Sequence, residues 1–202
     1  MKIKPLIIGI FGPPGSGKST LLEFFREKGF HVWKADQAVR DLYKPDGAGA
    51  KRIGEYFGKN FLASDGSVLI PRLSRMVLSK PMKLKILEYM IHPLVLNGAV
   101  QWIDQEKKLG HMQLAIEAAA FEFDGLGKQI DVLVKVEADM EICRDRVLAR
   151  GKTDAYFKAL YSVTRKYDTP LVIQNSGTME AFKKEFEKLY REITMSPYVT
   201  SL

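Results

Sequence analysis

Apolar and polar positions along the chain follow two alternating periods. Short apolar runs, too short for helices, predict buried strands at Leu6–Phe11, Phe30–Trp33, Met112–Ile116, Ile130–Val136 and Leu171–Gln174. Helical spacing fills the intervals. Leu21, Leu22, Phe24 and Phe25 predict a first helix that ends at Lys28-Gly29. Asp36 reads as the cap of a second, with Ala38, Val39 and Leu42 behind it. Ile53, Tyr56 and Phe57 predict a short helix stopping at Gly58, and Ser64-Asp65-Gly66-Ser67 a turn. Pro71 suits the first turn of a helix carrying Leu73, Met76 and Val77. Pro81 opens a longer helix through Leu84, Leu87, Met90 and Ile91, which Pro93 is expected to kink or restart before Leu94, Val95, Val100 and Ile103. Asp139 is expected to cap a helix reaching about Arg150. Met179, Phe182, Phe186, Leu189 and Ile193 form one stripe of a last helix, read as core, and the tail after Met195 as frayed.

Strands alternating with helices predict an α/β fold of three layers with a mostly parallel sheet. The all-helical stretch between the second and third strands, about residues 44–110, is expected to be a lobe inserted into one domain spanning 1–202. There is no internal repeat and no low-complexity tract.

Composition sharpens this picture in three places. The single cysteine, Cys143, cannot form an internal disulfide, which fits a reducing compartment, and it is expected to be a small core residue in a helix. Lys2 and Lys4 before the first apolar run resemble a signal peptide faintly, but that run passes straight into a Gly-rich loop, so it reads as a strand. No apolar run reaches membrane-spanning length, and a cytoplasmic protein with no membrane partner is expected. The net charge of +7 suits an anionic small-molecule substrate. The basic residues are interleaved with acids, as in Lys183-Lys184-Glu185-Phe186-Glu187-Lys188, so a nucleic-acid partner is not expected.

The most informative stretch is Gly12-Pro13-Pro14-Gly15-Ser16-Gly17-Lys18-Ser19-Thr20, a complete phosphate-binding loop lying between the first strand and the first helix. Its glycines let backbone N–H groups turn inward as an anion cradle, with the helix N-terminus adding partial positive charge. Lys18 is expected to reach the β- and γ-phosphates of ATP, and Ser19 to ligate Mg²⁺.

Ligands of parallel sheets gather at the carboxyl ends of strands, where Asp36 and Glu117 fall. One carboxylate would orient or deprotonate an attacking hydroxyl, and the other would act through Mg²⁺ and its waters. A plain helix cap is the competing reading for Asp36. Arg146 and Arg150 share a helix face and would neutralise a transferred phosphoryl group, or else lie as solvated surface. On the first reading Gly151-Lys152-Thr153-Asp154 belongs to a mobile lid. His92 reads as a structural histidine at the Pro93 break; His31 and His111 flank strands without a signal, and no Cys or His spacing indicates zinc.

These motifs together resemble dephospho-coenzyme A kinase, a P-loop kinase family of the nucleoside-monophosphate-kinase type. The resemblance runs from about Ile7 to about Leu189 and is carried by Gly12–Thr20, Ala35-Asp36-Gln37-Ala38-Val39-Arg40, Phe57-Gly58 with Asp65-Gly66, Leu87-Glu88 with His92-Pro93, Arg146, Arg150 and Gln174-Asn175-Ser176-Gly177. It implies transfer of the γ-phosphate of ATP to the ribose 3′-hydroxyl of dephospho-coenzyme A, with Mg²⁺. It implies Asp36 as general base, Lys18 and Arg146 as further catalytic groups, and Arg40, His92 and Glu117 on the acceptor side. Arg150 would bind ATP, Asn175 and Gly177 would lie in the loop near its adenine, and the lid would span about 146–170. The chain departs from the family pattern at Leu69-Ile70, where an Asp-Arg or Asn-Arg pair is usual, and at Ala119-Ala120-Phe121, where Pro-Leu-Leu is usual. Glu117 stands where Asp is common. Two other classes fit the loop alone: another small-molecule or nucleotide kinase, and a non-catalytic nucleotide-binding or switch protein. The switch reading has only Asp124-Gly125-Leu126-Gly127 in its favour and lacks a guanine-reading Asn-Lys-x-Asp.

Overall fold

A computed structural model describes residues 4–118, 125–162, 164 and 167–195. The described residues gather into two compact units, one from those up to 34 and from 101 onward and the other from residues 35–100.

The first unit holds a five-stranded sheet in the order β2-β3-β1-β4-β5, with every pairing parallel. The strands are β1 (Leu6–Phe11), β2 (His31–Lys34), β3 (Gln113–Glu117), β4 (Val132–Glu137) and β5 (Val172–Gln174). All six residues of β1 are buried, so both faces of the central strand are covered, as its unbroken apolar run requires. One face packs on helices α1 (Lys18–Glu27) and α8 (Met179–Met195). Leu21, Leu22, Phe24 and Phe25 of α1 and Phe182, Phe186, Leu189 and Ile193 of α8 close over Ile8, Ile10, Val134 and Val136. Rings of Phe24, Phe25 and Phe186 meet with centroids 5.0 and 5.3 Å apart, within the favourable aromatic range. Met179 leaves the expected stripe: it opens α8 beyond the covered face and is 60% exposed.

The chain rises up β1, crosses to β2 at one edge, returns to β3 beside β1, and then passes to β4 on the far side. The direction of winding therefore reverses between β1 and β3, and the carboxyl ends of these two strands bound the crevice where such sheets bind ligands. Two more helices of this unit, α6 (Met140–Ala149) and α7 (Asp154–Ser162), follow β4.

The second unit contains α2 (Ala35–Leu42), α3 (Ala48–Phe57), α4 (Ile70–Leu78) and most of α5 (Pro81–Lys108). A single antiparallel bridge, Leu62 to Val68, closes the Asp65-Gly66 turn, where the Asp65 carboxylate accepts from the Ser67 amide at 2.9 Å. The burial of Tyr43 pushes its phenol up to about 12. Pro93 does not restart α5, which runs unbroken for 28 residues. Proline removes one N–H donor, but Pro93 and Tyr89 both lie on the exposed stripe, where water reaches the freed carbonyl. Arg52 adds a donor alongside, its Nη1 2.7 Å from the Met90 carbonyl. Asp36 also differs from expectation: α2 starts directly on leaving β2, at Ala35, so Asp36 sits within the first turn rather than at the cap.

Candidate active site

The loop from Gly12 to Thr20 leaves the carboxyl end of β1 and enters α1 at Lys18. Gly15 and Gly17 have φ of +83° and +106°, and neither has space for a side chain: a Cβ would strike the Cys143 carbonyl at Gly15 and the Asn175 amide at Gly17. No side chain caps α1, so its first N–H groups face the loop unclaimed by any cap. Ser16 Oγ is fully buried and has no hydrogen-bond partner among the described residues. Lys18 Nζ lies 3.0 Å from the Pro13 carbonyl, folded back across the loop.

Two side chains brace this loop from below. Asn175, 6% exposed, donates from Nδ2 to the Ser16 carbonyl at 2.7 Å, while its own amide donates to the Glu137 carbonyl at 2.7 Å and so holds it at the end of β4. Arg146 Nη1 donates to the Asn175 carbonyl at 3.0 Å and to the Gly15 carbonyl at 3.4 Å. Arg146 is thus half-buried and engaged with backbone, unlike the solvated arginine that is the commoner fate of the residue type. Beneath Gly15, burial pushes the Cys143 thiol up against the opposing pull of the positive charges of Arg146 and Lys18. Both cations therefore converge on the loop.

Glu117 closes β3, in register with Ile10 of β1 and Lys34 of β2, and is 8% exposed. Ser19 Oγ lies 3.1 Å from Glu117 Oε1. A hydroxyl and a buried carboxylate are thereby paired at the reversal between β1 and β3, beside the phosphate loop. A buried carboxylate needs such partners to offset its lost hydration.

A family model described as dephospho-CoA kinase matches residues 6–180. The chain belongs to the dephospho-CoA kinase family. These are phosphotransferases with an alcohol acceptor, and their reaction is the last step of coenzyme A biosynthesis. The chain is 31% identical over 196 residues to a dephospho-CoA kinase from Aquifex aeolicus, covering 94% of this chain and 98% of that one. It superposes on a crystal structure from Thermus thermophilus with a TM-score of 0.69 at 25% identity, covering 95% and 99% of the two chains. A dephospho-CoA kinase structure from Campylobacter jejuni gives a TM-score of 0.62 over 94% and 97%; at 19% identity that likeness speaks for the fold.

The remaining expected residues of this dephospho-CoA kinase family member fall as follows. Arg150 is exposed, one turn beyond Arg146, at the end of α6. Gly177 is exposed in the turn before α8. Asp36 and Arg40 lie four residues apart on α2, both exposed, with Arg40 Nη1 3.5 Å from Gln37 Oε1. His92 is half-buried in α5. The segment read as a lid contains a helix the periodicity did not reveal, α7, whose signal was Thr153: its Oγ1 accepts from the Tyr156 amide at 3.1 Å as an N-cap. Phe157 anchors α7 on Cys143 and Val147 of α6, and Arg144 pairs with Asp154 at 2.5 Å, holding that carboxyl below its usual range. Ala119, Ala120, Phe121, Asp124 and the tail after Met195 lie outside the described residues.

Sequence reasoning missed two features. The bracing role of Arg146 depends on the approach of residue 175 to the loop, which no local pattern encodes. His31, Glu106 and His111, which carried no sequence signal, come together at the opposite end of the sheet.

Proposed function

We propose that this chain transfers the γ-phosphoryl group of ATP to the ribose 3′-hydroxyl of dephospho-coenzyme A. Family membership supplies the acceptor. The observation that carries the donor side is the 3.1 Å pair of Ser19 Oγ and Glu117 Oε1 beside the glycine loop. Both are hard oxygen donors, and the carboxylate is buried, so the pair fits Mg²⁺, held directly or through water. Held there, Mg²⁺ would supply positive charge against the charge on the phosphates.

The phosphates occupy the cradle of loop N–H groups, which offers Ser16 Oγ a partner. Lys18 exchanges the Pro13 carbonyl for phosphate oxygens. Arg146 and Asn175 hold the loop in shape, so its dipoles are fixed before substrate arrives. Arg150, Asn175 and Gly177 flank the nucleotide, and Arg40 and His92 hold the acceptor. As the 3′-oxygen bonds to the γ-phosphorus, the bond from phosphorus to the β–γ bridging oxygen breaks. The hydroxyl proton passes to the Asp36 carboxylate, and ADP leaves with the electron pair. The interleaved charges of the basic chain fit a cytoplasmic enzyme acting on small anions, with no nucleic-acid or membrane partner. Among the described residues no helix is long and apolar enough to cross a membrane.

The site of transfer is tested by phosphorus NMR of the product. A new phosphomonoester coupled to the ribose 3′ proton is the expected result; a 2′ ester, or none, overturns the assignment. A second reading, a different hydroxyl acceptor, rests on Ile70, which is 46% exposed at the start of α4 where the family usually carries an Asp-Arg or Asn-Arg pair. Turnover with other small hydroxyl compounds in preference to dephospho-coenzyme A would favour it.

A further inference from the structure

We propose that His31, Glu106 and His111 form a binding site for a divalent late transition ion of the zinc type, at the amino ends of β2 and β3 and separate from the phosphate loop. Among the described residues, these side chains bring their donor atoms within 4.8 Å of one another. Glu106 Oε2 lies 2.9 Å from His31 Nδ1 and 2.5 Å from His111 Nδ1, and the two imidazoles stack with centroids 3.6 Å apart.

The backbone dictates this convergence. α5 ends in a Schellman turn: Gly110 has φ +83°, its amide donates to the Lys107 carbonyl, and the His111 amide donates to the Glu106 carbonyl at 3.1 Å. That geometry forces the side chains of residues 106 and 111 together, where an apolar pair is usual. Here the pair is a carboxylate and an imidazole. The parallel register of β2 on β3, with His31 opposite Leu114, brings the second imidazole to the same point. Donors from β2, from α5 and from the turn that ends α5 thus meet at a sheet edge.

Two imidazoles and one carboxylate are a zinc donor set, with the fourth position left to water. Metal–ligand bonds of about 2.1 Å in a tetrahedron separate donor atoms by about 3.4 Å. The observed 2.5 and 2.9 Å spacings must open to that, and the stacked rings must splay so that both Nδ1 lone pairs meet the ion. The carboxylate is only 11% exposed, whereas the imidazoles are 44% and 33% exposed, so an ion has an entry path and a shielded anchor. Lys107, the nearest cation along the chain, is drawn aside, its Nζ 3.0 Å from Gln129 Oε1. The parallel strands put this cluster at the end of the sheet opposite Gly12 and Glu117, so the ion takes no part at the phosphate loop and would tie the turn between α5 and β3 to β2.

The test uses the full chain, with Mg²⁺ in excess to occupy the loop site, titrated with Zn²⁺ and separately with Co²⁺. Expected are saturable binding of one ion per chain, the visible absorption of four-coordinate Co²⁺ and a raised melting temperature. His31→Gln, at an exposed strand end, should weaken binding at least tenfold, on the order of the loss for a disturbed ligand shell. The double variant His31→Gln/His111→Gln should lose the Co²⁺ band while keeping kinase turnover. Failure of wild type to bind, or binding unchanged in the double variant, would overturn the site and show instead a metal-free hydrogen-bonded clamp.

Discussion

The phosphate loop and helix α2, which in the proposed reaction supply the donor and acceptor halves, are built in opposite ways. The loop is over-determined. Its glycines admit no side chain, Asn175 and Arg146 hold its carbonyls, and the associated carboxylate of Glu117 is buried and paired with Ser19. By contrast, α2 buries no residue at all, and its Asp36 and Arg40 are exposed. Fixed dipoles are needed wherever charge must be stabilised without reorganisation. A proton acceptor needs only to meet one hydroxyl once the substrate is bound. Damage to the loop should therefore appear in nucleotide binding and stability, and damage to α2 in turnover alone.

The sharpest way to break this contrast is Asp36→Asn. It should lower kcat by about 10²–10⁴-fold, the usual worth of a general base, with the melting temperature unmoved. Normal kcat would remove Asp36 as base. Next, Lys18→Ala should lower kcat/KM for ATP by roughly 10²–10³-fold, as for removal of one preorganised charge donor, again in steady-state kinetics. Asn175→Ala attacks the bracing itself. Leaving buried backbone groups unpaired costs about 1–3 kcal/mol, and each kcal/mol lowers the melting temperature of a chain this size by roughly 2–4 °C. ATP affinity should fall with it, and an unchanged melting temperature would mean that the loop holds itself. The smallest effect is at Cys143. Burial raises its thiol, so at neutral pH alkylation should be slow in the native state and fast after denaturation, with turnover intact in Cys143→Ala. Rapid native alkylation would show that the ground beneath Gly15 is open.

The same contrast governs what was legible in the chain. Strands and the amphipathic helices α1 and α8 follow from period and apolar content, because each is a local pattern against one core. The loop was legible because nine consecutive residues encode it. Of the kink or restart that Pro93 suggests, the restart does not occur, because its cost depends on whether its face is exposed, and here it is. Asp36 was misread as a cap because β2 passes into α2 without an intervening residue. Arg146 showed only a helix face; its contacts come from residues 15 and 175, far away along the chain. His31 and His111 are 80 residues apart in sequence, and only a strand register and a helix-terminating turn join them. Side chains whose partners are supplied by tertiary approach leave no periodic trace.

In the proposed reaction a prebuilt ATP site serves dephospho-coenzyme A. This is tested most directly by measuring ADP release with and without dephospho-coenzyme A and recording product mass. Expected are ADP release that depends on the acceptor and a product heavier by one phosphoryl group. ATP binding with no acceptor-dependent release would contradict it.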